Sequence, residues 1–251
     1  MSRRRLAVTG ATGLIGRSIC STLTTDFDLE LIDRRRTQGD IRKANMRNSV
    51  SARRALRGAD TVIALAADLS DRWRSVRSNN LPSTWNTFDA ARRGGARRVV
   101  YFSSNHVTGL YERDRPYSDI VSGRYDGLDP GAIDRLSSSS PVRPDGPYGV
   151  GKVFDEGAGR YFSESFGLSV ICLRIGTVKD VDRPTVPRDF ATLLTKRDLC
   201  HLVRCCIEAP PTVTFGIFYG VSANTWRFWS LDESLDTIGY RPRDNAETWR
   251  H

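Results

Sequence analysis

The sequence predicts an α/β protein built on a Rossmann-type, doubly wound parallel sheet. Short apolar runs, each long enough for one strand, alternate along the chain with segments of helical periodicity. A glycine-rich turn follows the first of these runs, and an acidic residue ends the second. Alternation of this kind favours parallel strands with helices on both faces of the sheet.

The turn after the first strand carries the clearest signal. Residues 6–8 are expected to form a buried strand and residues 14–23 a helix, and the segment GATGLIG from Gly10 to Gly16 lies between them. Glycines at such a turn permit a tight bend and let the backbone approach a pyrophosphate, which the N-terminus of the helix attracts. The spacing G-x-x-G-x-x-G is a variant of the dinucleotide fingerprint, so a glycine turn without a ligand is the alternative interpretation.

The second apolar run ends in Asp33, about 20 residues past the glycines, where a carboxylate would bind the ribose hydroxyls of adenosine. Asp33 could otherwise cap a neighbouring turn. Its charge disfavours a 2′-phosphate and so predicts NAD, but Arg34, Arg35 and Arg36 follow at once and leave NADP as the alternative coenzyme.

The remaining elements continue the alternation. Helices are expected at 49–57, 81–93, 148–166 and 190–208, and strands at 61–65, 98–102, 168–173 and 215–219. Residues 111–147 are rich in Gly, Pro, Ser and Asp and are expected to form a long surface loop. Because the pattern becomes irregular after residue 175, we predict a nucleotide-binding core over 1–175, with that loop as an insertion, and a small C-terminal substrate-binding lobe over 176–251. The helix 148–166 is expected to place these apolar residues on a core-facing stripe: Val150, Val153, Phe154, Ala158, Tyr161, Phe162 and Phe166.

Tyr148 and Lys152 lie one turn apart on one face of the predicted helix 148–166. An ammonium beside a phenol favours the phenolate, which can act as a general base toward a substrate hydroxyl. Ser104 follows the strand 98–102, at the edge where open α/β sheets bind ligands. The alternatives are an ordinary surface pair for Tyr148 and Lys152, and a simple strand-end cap for Ser104.

The glycine turn, Ser104 and the Tyr148/Lys152 pair carry a resemblance to a known family. Over its whole length the chain resembles the extended short-chain dehydrogenases/reductases, the group that is similar to the NAD-dependent epimerases and dehydratases. Within that family it is most similar to the uronate dehydrogenases. The segments that carry this closer similarity are 102–106 (FSSNH), 143–150 (RPDGPYGV), 173–176 (LRIG), 219–224 (YGVSAN) and 242–247 (PRDNAE). The resemblance implies an NAD(P)-dependent dehydrogenase that oxidises the C1 hydroxyl of a sugar or sugar acid to a lactone.

The resemblance also implies roles for individual residues. Tyr148 would be the base, Lys152 would assist it and hold the nicotinamide ribose, and Ser104 would hydrogen-bond the reacting hydroxyl. Tyr148 would also contact the substrate, together with Ser70, Ser104, Asn105, His106 and Arg174. The coenzyme would contact Gly10, Thr12, Gly13, Leu14, Ile15, Gly16, Asp33, Arg34, Asn45, Met46, Leu65, Ala66, Ala67, Asn80, Tyr148, Lys152 and Ile175.

Two of these roles have structural alternatives. Arg174 is suited to a bidentate grip on a substrate carboxylate, but it could pair with a carboxylate of the protein itself. His106 could be a structural histidine. The stretch between Ser104 and Tyr148 is longer than is usual in the family, and a changed loop beside the site can change the substrate.

Three other functions stay open at this point. The first two are a nucleotide-sugar epimerase or dehydratase, and a ketone or alcohol reductase of the same family. The third is a non-catalytic NAD(P)-sensing protein, which is disfavoured because Tyr148 and Lys152 are both present.

Composition restricts the partners and the setting. The formal net charge is +9, but the excess is almost all arginine and is scattered, so we expect a small-molecule sugar or sugar-acid substrate and no nucleic-acid partner. We see no apolar run long enough to span a membrane and no signal peptide, and the five cysteines form an odd set in mostly apolar segments, so we predict reduced thiols and a cytoplasmic protein. The cysteines and histidines lack metal-ligand spacing, so no metal is expected. The family resemblance implies a homo-oligomer.

Overall fold

The sheet is parallel throughout, and its seven strands lie in the order β3-β2-β1-β4-β5-β6-β7 within residues 3–35 and 39–250, which the computed structural model describes. The strands are β1 (Arg5–Thr9), β2 (Asp28–Asp33), β3 (Ile41–Lys43), β4 (Thr61–Ala64), β5 (Arg98–Phe102), β6 (Ser169–Ile175) and β7 (Phe215–Gly220). This arrangement confirms the predicted Rossmann-type fold. Arg36, which was predicted to influence coenzyme choice, lies outside the described residues.

Helices cover both faces of the sheet. The α-helices are α1 (Leu14–Leu23), α2 (Ser49–Leu56), α3 (Trp73–Ser75), α4 (Leu81–Arg93), α5 (Tyr117–Val121), α6 (Pro147–Phe166), α7 (Asp189–Thr192), α8 (Lys196–Glu208) and α9 (Asp232–Ile238). A π-helix (Val76–Asn80) precedes α4, and 3-10 helices span Asn105–Arg113 and Ala246–Trp249. Alternate residues of the strands enter two separate cores, with α1 and α8 on one face and α2, α4 and α6 on the other. No helix in the described part of the chain combines the length and the apolar character needed to cross a bilayer.

The short edge strand β3 was not predicted. Two local predictions are wrong. The helix expected at 190–208 is two helices, because the chain leaves helical geometry at Leu193 and Thr195 caps α8 by accepting a hydrogen bond from the amide of Asp198. Residues 111–147 do not form a surface loop throughout, because α5 lies there and apolar side chains from this stretch enter the core. Those buried side chains are Tyr117, Ile120, Ile133 and Leu136.

The predicted core stripe of α6 divides between two environments. Ala158 and Phe162 are buried, as expected. Four other members of the stripe are 44–46% exposed. Trp85 of α4 joins them by stacking on Tyr161, with ring centroids 5.8 Å apart. We call this exposed set the aromatic ridge, which comprises Trp85, Val150, Phe154, Tyr161 and Phe166.

The segment after residue 175 is tied to the rest of the chain. Strand β7 pairs with β6 in the same sheet, and α8 packs against α1. The buried side chain of Asn224 joins three segments, because its Nδ2 donates to the carbonyls of Ala191 and Leu193 at 3.2 and 2.9 Å, and its Oδ1 accepts from the amide of Ala246 at 3.0 Å. The boundary between a core of 1–175 and a lobe of 176–251 stays a prediction.

Candidate active site

The glycine turn makes a close-fitting cradle at the end of β1. Gly10 has φ +71°, and a Cβ built on it would lie 3.0 Å from the amide nitrogen of Ala66. A Cβ on Gly16 would lie 2.6 Å from the carbonyl oxygens of Gly10 and Ala11. Because no side chain fits at either position, the backbone stays accessible to a pyrophosphate at the N-terminus of α1.

A cavity of about 420 Å³ begins at this cradle and crosses the carboxyl ends of the strands, and we call it the coenzyme groove. Its volume falls in the range typical of small-molecule sites. The structure brings all the predicted coenzyme-binding residues to its walls, including the glycine turn, Asp33 and Ile175. The donor set therefore fits a dinucleotide, with backbone amides for the pyrophosphate and a carboxylate for the ribose.

Asp33 is fixed as the carboxylate at the end of β2. Its Oδ2 accepts hydrogen bonds from the hydroxyl of Thr12 at 2.7 Å and from the amide of Thr12 at 3.3 Å, while its Oδ1 accepts from the amide of Arg35 at 3.2 Å. Burial raises the pKa of Asp33, but these hydrogen bonds outweigh burial and hold it below its usual value. Asp33 is therefore an anion at neutral pH, with Arg34 and Arg35 exposed beside it.

Asn80 orders the loop that follows β4. Its buried side chain accepts from the amide of Asp68 at 2.7 Å and donates to the carbonyl of Asp68 at 2.9 Å. The amide of Ser70 donates to Asp68 Oδ1 at 3.0 Å, and this and further donors lower the pKa of Asp68 to about 2. Asp71, at the end of this loop, accepts from the amide of Tyr148 at 2.9 Å and so joins the loop to the start of α6.

Ser104 lies buried directly after β5 and caps the 3-10 helix that follows. Its Oγ accepts from the amide of His106 at 3.2 Å and lies 3.3 Å from Asn105 Oδ1. The predicted catalytic hydroxyl therefore also has a structural role. Asn105 is buried, whereas His106 is partly exposed.

Tyr148 lies half-buried in the wall of the coenzyme groove at the start of α6. Its ring and that of His106 meet edge to face, with centroids 5.8 Å apart. His106 Nδ1 is 2.7 Å from Asp145 Oδ2, so Asp145 fixes the orientation of the imidazole. The structure therefore brings His106 next to Tyr148, as the substrate-binding prediction requires.

Lys152 is buried behind Tyr148, and its Nζ lies 5.5 Å from the centre of the Tyr148 ring. The ammonium donates to the hydroxyl of Tyr101 at 2.7 Å and to the carbonyl of Phe102 at 2.6 Å. Both partners belong to β5. The predicted base and its cation therefore stand together, and the sheet itself positions the cation.

Tyr101 links Lys152 to Asp155, because its hydroxyl also donates a hydrogen bond to the Asp155 carboxylate. Burial and the nearby Asp155 raise the pKa of Tyr101 well above its usual value, so it remains a phenol. Burial also raises the pKa of Asp155, to about 6, although Lys152 acts in the opposite direction. At pH 7 the Lys152 ammonium therefore donates to the Tyr101 phenol, and that phenol donates to the Asp155 carboxylate.

Arg174 departs from its predicted role. Its Nε and Nη2 donate to the two carboxylate oxygens of Glu156 at 2.9 and 2.8 Å, and the two side chains are only 1% and 5% exposed. Its Nη1 is 3.3 Å from the hydroxyl of Tyr219, and Ser103 donates to Glu156 at 2.6 Å. The guanidinium fork is thus occupied inside the protein, which disagrees with a grip on a substrate carboxylate.

Sequence reasoning missed four residues around the site, namely Asp71, Tyr101, Asp155 and Glu156. Asp155 and Glu156 lie one turn after Lys152 on α6, and an acid at that spacing from a buried lysine was a signal that could have found them. Tyr101 gave no signal, because a tyrosine within an apolar strand is ordinary.

Comparison with known proteins agrees with this geometry. A model of the NAD dependent epimerase/dehydratase family matches residues 6–179. The L-arabinose 1-dehydrogenase (NAD(P)(+)) of Haloferax volcanii is 34% identical over 260 residues, which cover 97% of this chain and 98% of that protein. The NAD-dependent glucose-6-phosphate dehydrogenase of the same organism is 32% identical over 252 residues, which cover 95% and 93%. A solved structure of a mutated uronate dehydrogenase has a TM-score of 0.86 at 30% identity and covers 99% of this chain and 85% of its own. These matches confirm the predicted resemblance.

Proposed function

This chain belongs to the NAD dependent epimerase/dehydratase family and is an NAD-dependent dehydrogenase of the sugar and sugar-acid type, and from that premise we propose that it oxidises the C1 hydroxyl of its substrate to a lactone. The observation that carries the proposal is the joint position of Tyr148 and Lys152 in the wall of the coenzyme groove. Ser104 and His106 lie on the adjoining segment and supply polar groups for the sugar.

Each residue has a definite task in this reaction. Tyr148, as the phenolate, takes the proton from the C1 hydroxyl of the sugar. Lys152 supplies the positive charge that favours the phenolate, and Tyr101 and Phe102 keep that charge in place. Ser104 donates a hydrogen bond to the reacting oxygen and holds it near Tyr148. NAD, when bound, accepts the hydride from C1.

A substrate screen with a matched pair of variants tests the proposal. NADH formation is followed over neutral aldoses, hexuronates, sugar phosphates and simple secondary alcohols. Tyr148→Phe is expected to lower turnover on the best sugar by about 10²–10⁴-fold. Tyr161→Phe, on an exposed part of the same helix, is the control and should keep wild-type turnover. Wild-type turnover in Tyr148→Phe would refute the role of the base, and reaction with simple alcohols but not with sugars would favour the reductase alternative.

We propose further that the protein is a homo-oligomer formed through the aromatic ridge. The ridge groups exposed apolar side chains, with Tyr161 in contact with both Trp85 and Phe166. A second copy can cover them because a two-fold axis apposes identical surfaces. Phe154→Glu is expected to reduce the mass measured by light scattering to that of one chain. Val181→Glu introduces the same charge at an exposed valine outside the ridge and should leave the mass unchanged. A wild-type protein that measures as a monomer would disprove this proposal.

We also propose a reducing, cytoplasmic setting for the reaction. All five cysteines are free thiols in the structure, and three of them are buried. Thiol titration of freshly isolated, unfolded protein should find five free thiols, and a disulfide at this stage would contradict the proposal.

A further inference from the structure

Arg188 is bound to a carboxylate of the protein and to a threonine next to the coenzyme groove. Its Nε donates to Glu112 Oε2 at 2.7 Å, and its Nη2 donates to Glu112 Oε1 at 2.6 Å. The remaining Nη1 donates to Thr177 Oγ1 at 3.1 Å. The fork with which an arginine binds the carboxylate or phosphate of a ligand is therefore occupied by Glu112.

Thr177 brings this pair to the rim of the coenzyme groove. It lies between Gly176 and Val178, and both of these neighbours line the groove. The Arg188 side chain is 30% exposed and that of Glu112 is 17% exposed, so both can be reached from solvent. The pair is thus more open than the enclosed pair of Arg174 and Glu156.

Glu112 belongs to the same 3-10 segment as the predicted sugar-binding residues Asn105 and His106, with a kink at Thr108 between them. Burial lowers the pKa of Arg188, but Glu112 outweighs burial and raises it, and Asp145 adds to the rise. Asp145 is also the partner of His106, whose ring meets that of Tyr148 edge to face.

The charges around Arg188 do not favour an anion. Glu112 is paired with Arg188, Asp189 is paired with Lys179 at 2.5 Å, and Asp145 is paired with His106. Each of these three basic side chains therefore already has a carboxylate partner. A ligand with its own carboxylate or phosphate would add a further negative charge to this group.

We propose that Glu112 determines specificity by occupying Arg188, so that the site selects a neutral aldose over the sugar acid or sugar phosphate of the same configuration. This inference rests on the proposed function, because it concerns the sugar that the site oxidises. An anionic sugar would have to displace Glu112 from Arg188 and leave that carboxylate without its partner. The hydroxyl groups of a neutral sugar can donate to Glu112 or Asp145 while the ion pair stays intact.

The first test compares substrates that differ only at C6. We expect the wild-type protein to oxidise glucose with a kcat/KM about tenfold or more above the value for glucuronate, and likewise for galactose against galacturonate. Glucose 6-phosphate should resemble the acids. A wild-type preference for the acids or for the phosphate would overturn the inference.

The second test removes the charge of Glu112. In Glu112→Gln, Arg188 is no longer neutralised, so kcat/KM for the uronate should rise about tenfold, chiefly through a lower KM, while the value for the aldose changes less than about threefold. Adding Arg188→Gln should abolish the gain. The control is Glu30→Gln, which removes a carboxylate from the ion pair between Glu30 and Arg5. The Glu30 side chain is 23% exposed, so this pair is about as buried as that of Glu112 and Arg188. The ratio of kcat/KM for the uronate to that for the aldose should stay unchanged.

The outcomes separate the two proposals. If both sugars are oxidised but Glu112→Gln leaves their ratio unchanged, the inference is wrong and the proposed function stands. If no sugar yields NADH, the proposed function is wrong and the inference falls with it. Should Glu112→Gln fail to fold, as judged by its thermal unfolding, the wild-type ratio alone decides.

Discussion

Lys152 and Tyr101 are joined by a hydrogen bond of 2.7 Å from the ammonium to the phenol oxygen. Since the carbonyl of Phe102 accepts a second hydrogen bond from the ammonium, β5 fixes the lysine without a bound coenzyme or substrate. A charge that is already in position needs no reorganisation during the reaction. In the proposed reaction, the strand behind the site would therefore contribute by holding Lys152 in place.

Tyr101→Phe should slow the enzyme as well as destabilise it. The change keeps the ring but removes the hydroxyl that accepts from Lys152 and donates to Asp155. Because hydrogen bonds to charged groups contribute about 1.5–3 kcal/mol, the free energy of unfolding should fall by roughly that amount. Tyr240→Phe is the control, since its fully buried hydroxyl bonds the carbonyl of Val221. Urea unfolding should show a lower free energy of unfolding in both variants, whereas kcat should fall only in Tyr101→Phe. Equal kcat values in the two variants would contradict the role of Tyr101.

Asp155 should make stability fall as pH rises from about 4 to 6. Its folded pKa is about 6 against an ordinary value of 3.8, so in this window the folded state holds a proton that the unfolded chain has released. The contribution of Asp155 to the free energy of unfolding is therefore highest below pH 4 and is lost by pH 6, with a span on the order of 3 kcal/mol. Asp155→Asn should remove this component from a series of urea unfolding curves between pH 4 and 7. An identical pH slope in the two proteins would show that the folded carboxyl titrates normally.

Asp33→Asn should weaken the preference for NAD. The carboxylate is fixed by Thr12 and Arg35 where it would repel a 2′-phosphate, and Arg34 and Arg35 beside it would attract one. We expect the ratio of kcat/KM for NAD to that for NADP to fall about tenfold or more, since the charge acts on the phosphate directly. Steady-state kinetics with both coenzymes give this ratio, and the control is Asp60→Asn, at the far end of the sheet. A ratio that does not change would remove Asp33 from coenzyme selection.

Arg174→Ala should lower the free energy of unfolding without altering substrate choice. Removing one partner of a buried ion pair costs about 3–5 kcal/mol, because Glu156 would be left charged and unpaired. The double variant Arg174→Met with Glu156→Gln should recover much of that loss. In this folded double variant the relative KM values for uronates and aldoses should match those of the wild type. A selective rise in KM for the uronate would instead support the predicted role of Arg174 in binding the substrate carboxylate.

The fold was predictable because its signals are local. Apolar runs such as residues 61–65 and 98–102 and the turn from Gly10 to Gly16 specify strands and a cradle without reference to distant residues. β3 was missed because its sequence, Ile-Arg-Lys, gives no apolar run at the edge of the sheet. The stripe on α6 was misjudged because periodicity counts apolar residues without telling which face meets the core.

The site was predictable only in part, for a different reason. Tyr148 and Lys152 belong to one helix, so their spacing alone places them together. Arg174 and Glu156 come from β6 and α6, and no spacing rule states that these two side chains will meet. The same holds for Arg188 and Glu112, which are brought together only by tertiary packing.

Asn224 connects the last 3-10 helix of the described residues to the segment that follows Arg188. Its single amide fastens the 3-10 helix Ala246–Trp249 to the turn after α7, and α7 starts immediately beyond Arg188. Deleting the last residues, or adding a tag to them, would weaken the hydrogen bonds by which Asn224 joins these segments. If Arg188 and Glu112 select the sugar as proposed, the sugar preference would then change although neither of these residues had been substituted.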